Sequence, residues 1–157
     1  MKRNLISVRQ EAKRYKVSHS RVQKLTGNIL KHLSVSAAEL DILLVSDSTI
    51  RKINRKLLKH DWTTDVISIG EKGTVPKRGL SPKLIQGNLV ISLDTTARQA
   101  KEYGNDFFYE LMFYICHGIL HILGWQDSTA AQRKKMWKKQ EQILKTLKVR
   151  STEYGVW

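Results

Sequence analysis

The chain has 157 residues, 41% of them hydrophobic, with 28 Lys and Arg against 14 Asp and Glu and a formal net charge of +14. That length suits a single domain over residues 1–157 with one substantial core, and no apolar run reaches the roughly 18 residues that a membrane span needs. The lone cysteine, Cys116, excludes an intramolecular disulfide, and no sustained apolar segment follows the basic N-terminus, so no secretion signal is read and a reducing cytoplasm is the expected compartment.

In chain order, Asn4–Gln10 begins with a weak strand pattern. His19–Leu33 places Val22, Leu25, Ile29, Leu30 and Leu33 at helical spacing, with Ser18 or Ser20 able to cap its start. Ala38–Asp47 reads as a buried strand, and Ser48–Leu58 as a helix with Ile50, Ile53 and Leu57 on one face. Thr64–Ile69 and Gly87–Leu93 read as two further strands. Between them, residues 70–86 hold both prolines and several glycines and read as a long loop, of the kind that is often functional. A helix follows, stopped by Gly104. Asn105 or Asp106 can cap the next one, Phe107–Leu123, which Gly124 would end. The last helix starts at Ser128 or Thr129, where Thr129 and Gln132 have capping-box spacing. It runs to about Lys148, with Met136, Ile143, Leu144 and Leu147 as core contacts. This order, β-α-β-α-β-β-α-α-α, predicts an α+β fold, a small mixed sheet covered by helices.

Charge is unevenly placed. Residues 1–33 hold nine Lys or Arg and one acid, residues 128–157 hold eight and two, and the segment between them balances at eleven of each sign. The whole positive excess sits in the two ends. A polyanion such as nucleic acid is the natural partner, because basic patches release counterions from phosphates. A merely solvated basic surface is the plainer alternative.

The chemistry concentrates in "CHGILHILGWQDST", Cys116–Thr129. His117 and His121 stand four apart on an apolar helix, so their imidazoles share a face one turn apart, as in zinc-binding helices. Glu110, Tyr114, His117 and His121 form one polar stripe on that helix, which points to a polar site rather than more core. Gly124 can turn the chain back so that Asp127 supplies a third, carboxylate ligand. Three protein ligands with an open fourth position describe a catalytic site better than a structural one. Glu110 is a candidate to orient His117 from behind. The bland reading is two core histidines satisfied by hydrogen bonds, a solvated Glu110, and Asp127 as a helix cap. A His-Glu-x-x-His peptidase is excluded, because Gly118 stands where its general base would be. Cys116 points about 100° from His117 and reads as core.

The stretches "GNLVISLDTTARQAKEYG…ELMFYICHGILHILGWQD" and "INRKLLKHDWTTDVISI" resemble the YbeY family of bacterial rRNA-maturation endoribonucleases over about residues 38–147. The resemblance implies a zinc-binding α+β fold with a four-stranded sheet and a cytoplasmic place. It also implies a single-strand-specific, metal-dependent hydrolase of ribosomal RNA, active at the small-subunit 3′ end and in ribosome assembly. Its partners would be ribosomal RNA and the small ribosomal subunit, with one divalent zinc ion, no small-molecule cofactor, and no catalytic group beyond metal-bound water. Three positions depart from the family. Asp127 replaces the third histidine ligand, which lowers the charge of the centre by one unit and raises the pKa of bound water. Leu58 stands at the family's arginine, leaving Arg55, Lys56 or Lys59 to contact RNA phosphates, and Asn88 stands where aspartate is usual. The alternative function is a ribosome-binding assembly factor with a structural or weakly active metal site.

Overall fold

The computed structural model describes residues 3–58, 66–70 and 84–149. Strand β1 (Arg3–Gln10) leads into helix α1 (His19–His32), β2 (Ala37–Val45), α2 (Asp47–Leu58), β3 (Val66–Gly70) and β4 (Leu84–Ser92). Helices α3 (Leu93–Tyr103), α4 (Phe107–Ile122) and α5 (Ala130–Thr146) follow. The element order is the one expected. The four strands form one mixed sheet in the order β1-β2-β4-β3, parallel throughout except for β3, which runs antiparallel to β4.

Alternation along the strands divides the apolar residues between two layers. Leu40, Ile42 and Leu44 of β2 and Ile85, Leu89 and Ile91 of β4 point into the main core, where they meet α4 and α1. Val45, Ile67 and Val90 point the other way and meet Ile50 and Ile53 of α2. Helix α4 is therefore covered by the sheet on one side and by α5 on another, with Met136, Ile143 and Leu144 buried as expected. Cys116 is likewise fully buried, and burial pushes its thiol up to about 12, against a small opposing effect of Lys139. It is a core residue and not a reactive thiol.

The caps follow the sequence. Ser18 accepts from the backbone of Arg21, and Thr129 and Gln132 complete a reciprocal capping box. Asp106 occupies the cap position of α4 without making a side-chain cap bond. Three readings shift. Leu57 is 58% exposed, and among the described residues Ile50 and Ile53 are the apolar side chains by which α2 packs on the sheet. Strand β2 stops at Val45, because Ser46 takes the capping role for α2, accepting from Thr49. Leu84–Gln86 belong to β4, not to the preceding loop, since they pair with Ala37–Glu39. The rest of that loop, residues 71–83, and Thr64, lie outside the described residues.

Helix α4 lies unusually close to the sheet at Gly118. A Cβ there would meet Leu89 Cδ2 at 2.5 Å, and Leu89 is fully buried. The Ser68 hydroxyl of β3 also donates to the Gly118 carbonyl at 2.9 Å. Gly118→Ala should gain roughly 1 kcal/mol of helix propensity and lose about 1–3 kcal/mol to overpacking. A lower urea midpoint at unchanged m-value is expected, and a raised midpoint would mean that Leu89 has room to turn.

Candidate metal centre

The last turns of α4 and the chain just beyond them build the site. His117 and His121 project from the same side of α4, with ring centroids 4.5 Å apart and planes at 81°. The helix then ends in a Schellman motif: Gly124 adopts φ 99°, its N–H donates to the His121 carbonyl at 2.9 Å, and the Trp125 N–H donates to the Leu120 carbonyl at 2.9 Å. This turn reverses the chain and brings Asp127 back over the rings. Arg133, one turn into α5, holds the turn from the far side by donating to the carbonyls of Asp127 and Ser128 at 3.3 and 3.2 Å.

The three side chains expected to converge do so. His117 Nε2 and His121 Nε2 are 3.0 Å apart, and Asp127 Oδ2 lies 3.2 Å from His121 Nε2 and 3.4 Å from His117 Nε2. The outer nitrogens fix which way each ring faces. His121 Nδ1 lies 3.0 Å from the Trp125 carbonyl, which can only accept, so Nδ1 carries the proton. His117 Nδ1 lies 3.0 Å from Gln140 Oε1, and the Gln140 amide is oriented by its NH2 donating to the Phe113 carbonyl at 3.1 Å. His117 Nδ1 is therefore also the protonated nitrogen. Two imidazole lone pairs and a carboxylate oxygen face one another inside a triangle with sides of 3.0–3.4 Å. Three acceptors at that distance repel unless a cation or a shared proton sits among them.

The dimensions fit one. A tetrahedral cation with bonds of about 2.0–2.1 Å has ligand-to-ligand edges of about 3.3–3.4 Å. Two imidazoles with one carboxylate suit zinc and its transition-metal neighbours, whereas magnesium and calcium favour oxygen alone. His117, His121 and Asp127 form the group of three among the described residues that can hold a metal ion. Their side chains are 24%, 28% and 40% exposed, so the centre opens to solvent on one side and can admit a substrate.

Glu110 is buried, but its Oε1 accepts from Asn105 Nδ2 at 2.7 Å, and it is Gln140 that faces His117. Sequence reasoning missed Gln140. The available signal was a glutamine falling between Met136 and Ile143 on the apolar stripe of the last helix. Arg55 and Lys56 are exposed in the last turn of α2, which packs on the sheet face opposite α4. Lys59 lies outside the described residues. Leu58 closes α2, and Asn88 is exposed on β4 between Asp41 and Ile69. Trp125 is half-buried against the core and contributes its carbonyl, with Lys135 Nζ 5.9 Å from its ring centre.

Comparison with known proteins agrees with this geometry. The family model described as Endoribonuclease YbeY matches residues 6–148. A Geobacter metallireducens protein named Endoribonuclease YbeY is 34% identical over 148 residues, covering 90% of this chain and 95% of its own length. One of the same name from Myxococcus xanthus is 43% identical over 115 residues, 73% of this chain but 38% of that longer protein. The solution structure of a Thermotoga maritima protein superposes with a TM-score of 0.57 over 92% of each chain at 21% identity, which shows a shared fold. Among the described residues no helix is long and apolar enough to cross a membrane. With the profile spanning nearly the whole chain and the histidine pair standing in its expected place on α4, this chain belongs to the YbeY endoribonuclease family.

Proposed function

We propose that this protein is a metal-dependent endoribonuclease. In this reading it cuts single-stranded ribosomal RNA at the small-subunit 3′ end during ribosome maturation in the cytoplasm, as a single domain over residues 1–157. One zinc ion would be held by His117, His121 and Asp127. The observation that carries the reading is the tautomer arrangement: both Nδ1 atoms are engaged outward, so both Nε2 lone pairs and Asp127 Oδ2 are left to a shared cation. When bound, such an ion supplies Lewis acidity toward a phosphoryl oxygen and activation of water.

The chain's own residues do the positioning. Gln140 and the Trp125 carbonyl hold the two rings, Gly124 and Arg133 hold Asp127, and the apolar surround of α4 keeps the inner side of the centre dry. Arg55, Lys56 and Lys59 are the proposed phosphate contacts beyond the centre, in keeping with the net charge of +14. Replacing a histidine ligand by Asp127 lowers the charge of the centre by one unit, and so its pull on a bound phosphate.

Incubating the purified protein with single-stranded RNA, with and without a chelator, tests this. Cleavage should stop with the chelator and in a His117→Ala/His121→Ala protein, because both remove the cation. Cleavage that persists in the double variant would belong to a contaminating nuclease. RNA binding without cleavage by the metal-loaded protein would favour the ribosome-binding assembly factor.

A further inference from the structure

The fold brings the two basic ends of the chain together. Lys13, Lys16 and Arg21, from the segment after β1 and the first turn of α1, line an open cleft alongside Tyr15, Phe107 and Phe108. A smaller cleft formed by Arg21, Lys24 and Leu25 of α1 with Leu147, Lys148 and Val149 beyond α5 adjoins it, since Arg21 lines both. Lys13, Lys16, Lys24 and Lys148 are exposed, and none of them is in an ion pair among the described residues. Helix α1 starts at this cleft with a Ser18 cap and no acid in its first turn, so its N-terminal dipole adds to the positive field. One acid lines the larger cleft, Asp106. Burial pushes its carboxyl above the ordinary aspartate value, against the pull of Arg21.

The cleft is aromatic as well as basic. Tyr15 stacks on Phe107 with centroids 5.5 Å apart and planes 6° from parallel, and the Arg21 guanidinium lies 4.5 Å over the Phe108 ring. The Arg14 guanidinium also lies 4.8 Å from the Tyr15 ring centre, and all three rings are half-buried against the core. Exposed ammonium groups beside such rings and guanidinium planes are how single-stranded nucleic acid is held without sequence preference: phosphates meet the lysines, and bases stack on the accessible planes. A small anion would need one closed pocket rather than cations spread along two adjoining clefts. The site is separate from the metal centre. Phe107 opens α4 and His117 lies ten residues further along it, roughly 15 Å at 1.5 Å per residue.

We infer that this double cleft is a second RNA-binding site, which anchors single-stranded RNA flanking the segment presented to the metal centre. The inference rests on the endoribonuclease reading for its ligand, and its test is made by binding alone. Metal-free protein in chelator is titrated against a fluorescently labelled oligouridine of about 16 nucleotides, the upper site size of one such module, across a salt series. The cleft variant combines Lys13→Ala, Lys16→Ala and Lys24→Ala with Lys148→Gly, glycine being chosen because Lys148 has φ 59°. A control removes the same charge elsewhere, through Lys31→Ala, Lys52→Ala, Lys101→Ala and Lys138→Ala. The cleft variant should bind at least about tenfold more weakly, with a log–log salt slope shallower by about 2–3, given roughly 0.7 per lost phosphate contact. The control should stay within about twofold of wild type.

Equal losses in both variants would mean that net charge alone matters, and wild-type binding by the cleft variant would mean that RNA does not use the cleft. Either result overturns the inference. Photocrosslinking of 4-thiouridine RNA to the wild-type protein reads the same question without any substitution. Adducts at Tyr15, Phe107 or Phe108 are expected, and adducts confined to residues around His117–Asp127 would overturn it. Wild-type protein that binds RNA through the cleft but never cuts it, with metal supplied, would sink the hydrolase reading and leave this site standing.

Discussion

Purified wild-type protein is expected to carry about one transition-metal ion per chain, and His121→Ala protein close to none. His121 Nε2 stands nearest to both other ligands, 3.0 Å from His117 Nε2 and 3.2 Å from Asp127 Oδ2. Its removal leaves two donors. If a zinc site is worth about 10–16 kcal/mol over four ligands, each ligand contributes about 2.5–4 kcal/mol, and its loss weakens binding by roughly two to three orders of magnitude. The fold should survive, because the ring is 28% exposed and the core residues around it are unchanged. Elemental analysis reads the loading. Thermal unfolding with added zinc supplies a second readout, since a ligand that binds only the native state raises Tm in proportion to RT ln(1 + [L]/Kd). Wild type should shift upward with zinc and the variant should not. A variant that holds as much metal as wild type would remove His121 from the site, and the tautomer argument with it.

How much of this was legible in the sequence depended on whether the contact was local. The histidine pair could be read because four residues on a helix return to one face, and Asp127 because Gly124 announces a left-handed turn whose two hydrogen bonds fix the direction of the chain beyond it. The capping box at Thr129 is local in the same sense. Glu110 was misjudged for a reason that helix geometry supplies: it lies seven residues before His117, about 10 Å along the axis, too far for a hydrogen bond to that ring. Its actual partner, Asn105, lies just outside the helix start. Gln140 was out of reach because it meets His117 only through the packing of α5 on α4, 23 residues apart in sequence. Likewise Leu84–Gln86 look like the end of a loop until Ala37–Glu39 pair with them. The two basic ends were plain in the composition. That Arg21, Lys24 and Lys148 share one cleft required the fold.

Gln140 carries the second large effect. Its amide bridges two acceptor-and-donor demands at once: the NH2 group is committed to the Phe113 carbonyl, and Oε1 is thereby presented to His117 Nδ1. Gln140→Leu fills nearly the same volume but offers no acceptor. The His117 proton is then free to move to Nε2, the nitrogen that must ligate, and the ring is free to turn. Losses of this kind cost about 10–100-fold in metal affinity. The partly buried Nδ1 left without a partner costs a further ~1 kcal/mol of stability. Gln140→Glu keeps an acceptor facing Nδ1, and a stronger one, while giving up the bond to Phe113. It should hold the metal far better than the leucine variant, even though the apoprotein must then bury a carboxylate at a position that is 2% exposed. Competition against a chromophoric zinc chelator separates these outcomes from a general loss of packing, because packing damage weakens both variants whereas the loss of an acceptor weakens only the leucine one. Equal affinity in wild type and Gln140→Leu would mean that His117 is held in its tautomer by the metal itself, and that α5 serves the site only as a wall.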